Sequence, residues 1–554
     1  MKRTRGKKGR IQGRTTPRKA LAEVRALLGE APRARELLVE HLHKLQDHYG
    51  HLSHRHLLAL AIDMELPMAE VYETATFYHH FDVLKANETP PPALTVRVCE
   101  SLTCEMFGAS NLSSALKAST DPARVRIQSV PCVGRCDAAP VAVVGANPVE
   151  QARPETVETA IKHEQTVCPE PNATRYADYC AQGGYKLLAD CRKGSYTPEQ
   201  VIGVLEQANL RGLGGAGFPA GRKWRILRSQ AQPRLVAVNV DEGEPGTFKD
   251  RYYLERDPHR FIEGALIAAW AIEAKAIYIY LRDEYAGCRA LLQAELAALQ
   301  QDPPCPLPLI HLRRGAGAYI CGEESAMLES IEGKRGMPRL RPPYVAQVGL
   351  FNRPTLEQNM ETLHWVRDLV EKGPEWFTSQ GRRGRQGLRS FSVSGRVQNP
   401  GVHLAPAGIS IRELIDEYCG GMLPGHEFYG YFPGGASGGI LPATLDDVPL
   451  DFDTLQPHGA FIGSAAVIVL SDQDSARALA LNAMRFFEHE SCGQCTPCRV
   501  GTAKAVKLME KAAWDRLLLE DLAQAMEDAS ICGLGQAAPN PLRCAMKYFP
   551  EEFS

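Results

Sequence analysis

The stretch "RGLGGAGFPAGRKW" (211–224) decides how the rest of the chain is read. Gly212, Gly214 and Gly217 stand at the G-x-G-x-x-G spacing of a dinucleotide-binding turn. Such a turn follows a strand and opens a helix. Here the glycines follow a helix. Thr197, Pro198 and Gln200 form a capping box with proline at the first helical position, and Val201, Val204, Leu205 and Ala208 share one face. Pro219 comes two residues after Gly217, and Asp241, placed like a ribose-binding acid, ends a strand of its own. The standard Rossmann reading therefore fails. What remains is the physics of the loop: five glycines within 212–221, with Arg222 and Lys223 beside them. Backbone without Cβ atoms approaches a ligand closely, and successive N–H groups cradle an anion such as phosphate.

Outward from the loop, "RLVAVNV" (234–240), "AIYIYL" (276–281) and "LPLIHL" (307–312) read as strands. They alternate with helical patterns at 260–274, 286–300 and from 323 on, which predicts an α/β domain with a parallel sheet. Two acidic turns follow strands. "NVDEGEPG" (239–246) carries Asn239, Asp241, Glu242 and Glu244; "GAGAYICGEESAM" (315–327) carries Tyr319, Gly322, Glu323 and Glu324. Ligands of open α/β sheets sit beyond the strands' carboxyl ends, and carboxylates there suit ribose or ribityl hydroxyls. Either cluster alone reads equally as a solvated turn.

Two of the cysteine groups have ligand spacing. "SCGQCTPC" gives Cys492, Cys495 and Cys498, with Cys532 in "SICGLGQ" as a remote fourth and Cys544 as its rival. A thiolate triplet at this spacing suits a [4Fe–4S] centre better than zinc, whose sites pair cysteines. "CESLTC" and "PCVGRC" give Cys99, Cys104, Cys132 and Cys136, each pair beginning where a strand ends. Four thiols on two loops suit a [2Fe–2S] centre, with zinc or buried thiols as the other readings. Cys168, Cys180 and Cys191 form a loose trio without ligand spacing.

The 554 residues exceed a single core. A net charge of −2 argues against nucleic acid, and no run of about 18 apolar residues predicts a membrane span. Nine Lys or Arg in the first nineteen residues lack the apolar stretch of a secretory signal, which makes a cytoplasmic protein the expectation. The pattern divides the chain into a basic disordered tail (1–20), a helical subdomain (21–92), a small αβ domain (93–165) and a linker (166–196). An α/β ligand-binding domain (197–388), a glycine-rich β domain (389–470) and a helical cysteine-bearing domain (471–554) follow.

Together these motifs resemble the NADH-oxidising module of respiratory complex I and its relatives. "RGLGGAGFPAGRKW", "NVDEGEPGTFKDR", "GAGAYICGEESAMLESIEGKRGMPRLRPP" and "ESCGQCTPCRVGT" look like its NADH-binding subunit. Residues 30–165 look like its thioredoxin-like [2Fe–2S] subunit, here fused in front. The resemblance implies FMN, NAD, one [2Fe–2S] and one [4Fe–4S] centre, and a β-grasp-like domain at 389–470. It places FMN at Gly212, Gly214, Gly217, Lys223, Asn239, Asp241, Glu242, Gly322, Glu323 and Asn359. Phe218, Glu244, Tyr319, Glu324, Arg341 and Tyr344 fall to the NAD side, with Glu244 and Glu324 positioning the nicotinamide. Arg341, Tyr344 and Gln358 depart from the usual Lys, Phe and Asn. "FPGGASGGILPA" (432–443) resembles the diaphorase subunit of molybdenum- or tungsten-dependent NAD formate dehydrogenases. The expected partner is thus a formate-oxidising iron–sulfur subunit. An NAD-reducing hydrogenase or complex I-type parent is the alternative, and a zinc-stabilised scaffold the reading of another class.

Overall fold

The computed structural model describes residues 17–85 and 87–553. The expected basic tail lies outside them up to residue 16. The chain divides into two compact units, one of residues up to Pro91 with 333–335, the other holding the remainder. In the first, helices Arg18–Leu28, Leu38–Tyr49, His54–Asp63 and Met68–Phe77 pack around Leu42, Leu45, Leu57 and Val71, and Leu52–Ser53 pairs with Val83–Leu84. Tyr78 donates to the Lys334 carbonyl (2.7 Å), tying 333–335 to this unit.

The second unit opens with a four-stranded sheet. Leu94–Cys99 lies between parallel Val125–Val130 and antiparallel Ala142–Val144, and Asn147–Val149 forms the far edge. Helices Ala109–Ser119 and Pro154–Lys162 cover it, as their apolar spacing predicts. The expected linker at 166–196 is instead partly helical, with Tyr176–Ala181 and Lys186–Lys193. These helices are too short for periodicity to declare them. They are held by burial of Tyr179, Leu187, Leu188 and Cys191 in the core of the next domain, and Tyr179 donates to Glu263 (2.6 Å).

That domain is a four-stranded parallel sheet in the order Thr355–Asn359, Arg234–Val240, Ala274–Leu281, Leu309–Arg314. Several elements escaped the sequence pattern, two of them beside the site. Thr355–Asn359 ("TLEQN") lacks apolar alternation although it is largely buried. Pro219 is the N-cap of helix Ala220–Arg228, which anchors itself by fully buried Trp224 and Leu227. A mixed five-stranded sheet follows, ordered Gly401–Pro406, Leu388–Gly395, Ala466–Ser471, Phe428–Phe432, Leu441–Pro442. Phe391, Val393, Tyr431 and Val467 fill its core. The chain closes with helices from Ala476–Glu490 to Asn540–Tyr548, as predicted.

Candidate functional site

The glycine loop is closed by its own backbone. Gly212 N–H donates to the Phe218 carbonyl (2.8 Å) and Gly217 N–H to the Gly212 carbonyl (3.2 Å). Leu213 N–H donates to Thr362 Oγ1 (2.9 Å), and the Arg211 guanidinium to the Gly217 carbonyl. Gly217 sits at φ +65°, with the Phe452 ring 2.7 Å from where a Cβ would stand. Gly212 and Gly217 therefore make the turn. The amides of Gly214, Gly215 and Ala216 have no intramolecular partner among the described residues, and all three residues line a cavity. Such free adjacent N–H groups form an anion nest.

The cavity has about 1100 Å³ of free space, counted to its open mouth. It lies beyond the carboxyl ends of the parallel strands, where Asn239, Asp241, Glu242, Glu244, Tyr319, Gly322, Glu323 and Asn359 all face it, as the sequence groups them. Gly212, Gly217, Phe218, Lys223, Glu324, Arg341 and Tyr344 fall outside its lining. Lys223, expected at the phosphate, donates to Glu357 (3.0 Å) and Glu324 (3.4 Å). Glu357 in turn accepts from Asn239 Nδ2 (3.1 Å), and Arg341 pairs with Glu323 and with Glu324 (2.9 Å). Alternating charges thus brace the cavity floor from outside. Phe218 and Tyr344 project outward, 41% and 56% exposed, with the Arg222 guanidinium 5.7 Å from the Phe218 ring centroid.

The cavity carboxylates differ in what remains free. The Asp241 carboxylate accepts no hydrogen bond from the described residues, although its backbone carbonyl takes the Gly243 N–H (3.0 Å), and burial pushes the carboxyl well above the usual range. Glu242 accepts from Asp250 N–H (2.9 Å), Arg251 N–H (3.2 Å) and Tyr285 Oη (2.9 Å), so its oxygens are occupied by the chain. Burial still raises it to about 7. Glu323 caps helix Glu324–Ile331 through Ser325 and Ala326 N–H (3.0 and 2.9 Å). Glu244 accepts from Ser437 N–H (2.7 Å), Ser437 Oγ (2.9 Å) and Tyr319 Oη. Tyr319 N–H donates to Glu490 Oε2 (2.8 Å), two residues before Cys492.

Sequence reading missed Lys249, Asp250, Ser437, Phe461 and Ser464 in the cavity wall. Lys249 is buried between Asp250 (2.7 Å) and Glu361 (3.1 Å), and Asp250 accepts from Asn359 Nδ2 (2.8 Å). That the charges of Lys249, Asp250 and Glu361 compensate one another inside is visible only in the fold.

The cysteine groups flank this cavity. Cys99, Cys104, Cys132 and Cys136 are all buried free thiols, with Cys132 and Cys136 Sγ atoms 3.3 Å apart and the Cys99 thiol in hydrogen-bond reach of those of Cys104 and Cys132. Arg282 donates to the Cys132 carbonyl (2.7 Å) and Arg251 to that of Gly134 (2.9 Å), docking the cysteine loop. Phe248, fully buried, packs on Cys132 and Cys136, while its neighbours Thr247 and Lys249 line the cavity. On another wall, Cys532 caps the helix Gly533–Ala537, and Gly533, Leu534 and Ala537 line the same cavity. Cys492, Cys495 and Cys498 neighbour one another, and Cys532 neighbours Cys492. Cys544 points instead at the Gly459 carbonyl (3.5 Å). Two all-sulfur donor sets thus border one glycine-lined cavity.

Family models match the chain along its length. Residues 24–165 match the thioredoxin-like [2Fe-2S] ferredoxin, 205–368 the Nuo51 FMN-binding domain, and 478–554 the NADH-ubiquinone oxidoreductase-F iron-sulfur binding region. Fold and site together define an FMN- and iron–sulfur-dependent NADH oxidoreductase subunit. The mitochondrial NADH dehydrogenase [ubiquinone] flavoprotein 1 of Dictyostelium discoideum is 41% identical, over 64% of this chain and 78% of its own. The mitochondrial 51 kDa component of NADH-ubiquinone oxidoreductase from Neurospora crassa is 40% identical, over 64% of this chain and 76% of its own. The structure of an NAD+-reducing [NiFe]-hydrogenase in its H2-reduced state matches with a TM-score of 0.83 and 32% identity, covering 94% of this chain and 93% of its own. The chain belongs to the 51 kDa family of NADH-binding flavoproteins. These relatives are complex I-type and hydrogenase-type proteins, and the formate assignment expected from 432–443 gains nothing from them. No helix among the described residues is long and apolar enough to cross a membrane.

Proposed function

We propose that this chain is the NAD(H)-facing module of a multisubunit redox complex, exchanging hydride with NAD(H) in the cavity and single electrons with the two cysteine-bound clusters. Bound FMN supplies the conversion between hydride and single-electron chemistry. The residues present fit that group: three unpartnered amides at 214–216 for the phosphate, and the unpartnered Asp241 carboxylate with Asn239 and Asn359 for hydroxyl and ring edges. Gly243 and Gly322 keep the approach open, since Cβ atoms there would come within 3.0 Å of Tyr319 and 3.1 Å of the Asp241 carbonyl. Glu244, fixed by Tyr319 and Ser437, together with Glu324 orients the nicotinamide, and Phe218 and Tyr344 offer faces to the rest of the dinucleotide, beside Arg341. Cys99, Cys104, Cys132 and Cys136 hold the [2Fe–2S] centre; Cys492, Cys495, Cys498 and Cys532 hold the [4Fe–4S] centre.

One observation carries this reading. The cavity wall is one residue from Phe248, which touches Cys132 and Cys136, and adjacent in sequence to Cys532. A group in the cavity is therefore in reach of both sulfur sites.

A hydrogenase-type partner is the reading we favour for the electron donor, supported by the nearly full-length likeness to an NAD+-reducing [NiFe]-hydrogenase chain. A molybdenum- or tungsten-dependent formate-oxidising partner rested on 432–443. Gly434 and Ser437 of that stretch serve the cavity wall, a role any partner would share. Purifying the native complex and asking whether hydrogen, formate or a quinone couples to NAD(H) tests the choice. Formate-driven NAD+ reduction without hydrogen-driven reduction would overturn it.

A further inference from the structure

Behind the glycine loop lies a second cavity, of about 750 Å³ of free space, lined by Arg211, Arg385, Arg389, Asp451, Phe452 and Asp453 among others. Its charges do not balance: three guanidiniums face two carboxylates. Asp451 serves both Arg385 Nε (2.6 Å) and Arg389 Nε (2.8 Å), and Arg211 reaches Asp453 only at 3.3 Å. The Nη1 groups of Arg385 and Arg389 donate to nothing among the described residues. Arg389 is 6% exposed, and burial works against its proton although Asp451 opposes the effect. Arg389 and Arg211 also share the Phe452 ring, at 4.0 and 4.9 Å from its centroid. Buried cations require compensation, and guanidiniums match phosphate oxygens with paired hydrogen bonds.

We propose that this cavity binds a phosphate group, as inorganic phosphate or a small phosphomonoester, between Arg385, Arg389 and Arg211. The ligand would displace Asp453 as the partner of Arg211. Arg211 also donates to the Gly217 carbonyl, and Phe452 packs against Gly217. Occupancy therefore bears on the turn that presents the amides of 214–216. This coupling rests on the FMN reading above; phosphate binding itself does not.

Titration calorimetry of the purified full chain, with inorganic phosphate in one arm and glycerol 3-phosphate in the other, tests the site. One site per chain is expected in at least one arm, and the arm with tighter binding identifies the source. Arg385→Gln removes charge-assisted bonds and weakens binding about tenfold or more. Asp453→Asn removes the competing carboxylate and tightens it several-fold. Asp453 has a side chain 64% exposed, so this variant keeps the test readable if Arg385→Gln folds poorly. No binding at millimolar concentration in either arm, or affinities unmoved by both substitutions, overturns the site. An FMN release rate that is the same with and without saturating ligand overturns the coupling.

Discussion

Gly217→Ala is the substitution that probes the cradle most sharply. Gly217 lies at φ +65°, in the left-handed region, and an alanine Cβ there would come within 2.7 Å of two Phe452 ring carbons. The backbone term costs about 1–2 kcal/mol and the overlap about 1–3 kcal/mol. The turn can relieve both by giving up the Gly217 N–H bond to the Gly212 carbonyl, which opens the row of amides at 214–216. If FMN binds only the closed turn, the sum of about 2–5 kcal/mol appears as an FMN dissociation constant raised from about thirtyfold to a few thousandfold. Fluorescence titration of FMN into the deflavinated protein reads this directly, with iron–sulfur absorbance confirming that the fold survives. Gly373→Ala, at φ +84° with nothing within 4 Å of the new methyl, carries a backbone term alone and leaves FMN affinity unchanged. An unchanged FMN affinity in Gly217→Ala refutes the argument that this turn forms the cradle.

Three further outcomes follow from the geometry. Cys532→Ser abolishes the EPR signal of the reduced [4Fe–4S] centre and keeps that of the [2Fe–2S] centre, whereas Cys544→Ser, altering a thiol aimed at Gly459, keeps both. Glu244→Gln weakens the bonds from Tyr319 and Ser437 and lowers kcat/KM for NADH about tenfold or more while FMN content is unchanged, read by steady-state kinetics. Glu242, raised to about 7 by burial, binds a proton in the folded chain that the unfolded chain has already released. Stability therefore falls as pH rises from the ordinary carboxylate value to about 7 and is level above it; Glu242→Gln removes that slope from a plot of Tm against pH.

What the sequence made legible is what local rules govern. The capping box at Thr197 and Gln200 appears as read, with Gln200 N–H donating to Thr197 Oγ1 (3.2 Å) and Thr197 N–H to Gln200 Oε1 (2.8 Å). Strand Arg234–Val240 ends where its apolar run ends, and the acidic turn after it lines the cavity. What stayed hidden depends on tertiary compensation. Thr355–Asn359 is a strand whose Glu357 bridges Lys223 and Asn239, so its polarity masks its burial. Lys249 enters the interior only because Asp250 and Glu361 meet it there. Lys223, the expected phosphate ligand beside its glycines, is held by two carboxylates, Glu324 and Glu357, from segments 101 and 134 residues away, which no local pattern shows.

On the proposed function, one cavity joins NAD(H) to two iron–sulfur centres through FMN. Anaerobic titration of the purified chain with NADH, followed by absorbance and EPR, tests it most directly. One releasable FMN per chain, bleaching of the flavin band and the appearance of a reduced [4Fe–4S] signal are expected. A chain that carries its iron and sulfide but no flavin, or whose clusters stay oxidised while bound flavin is reduced, would contradict it.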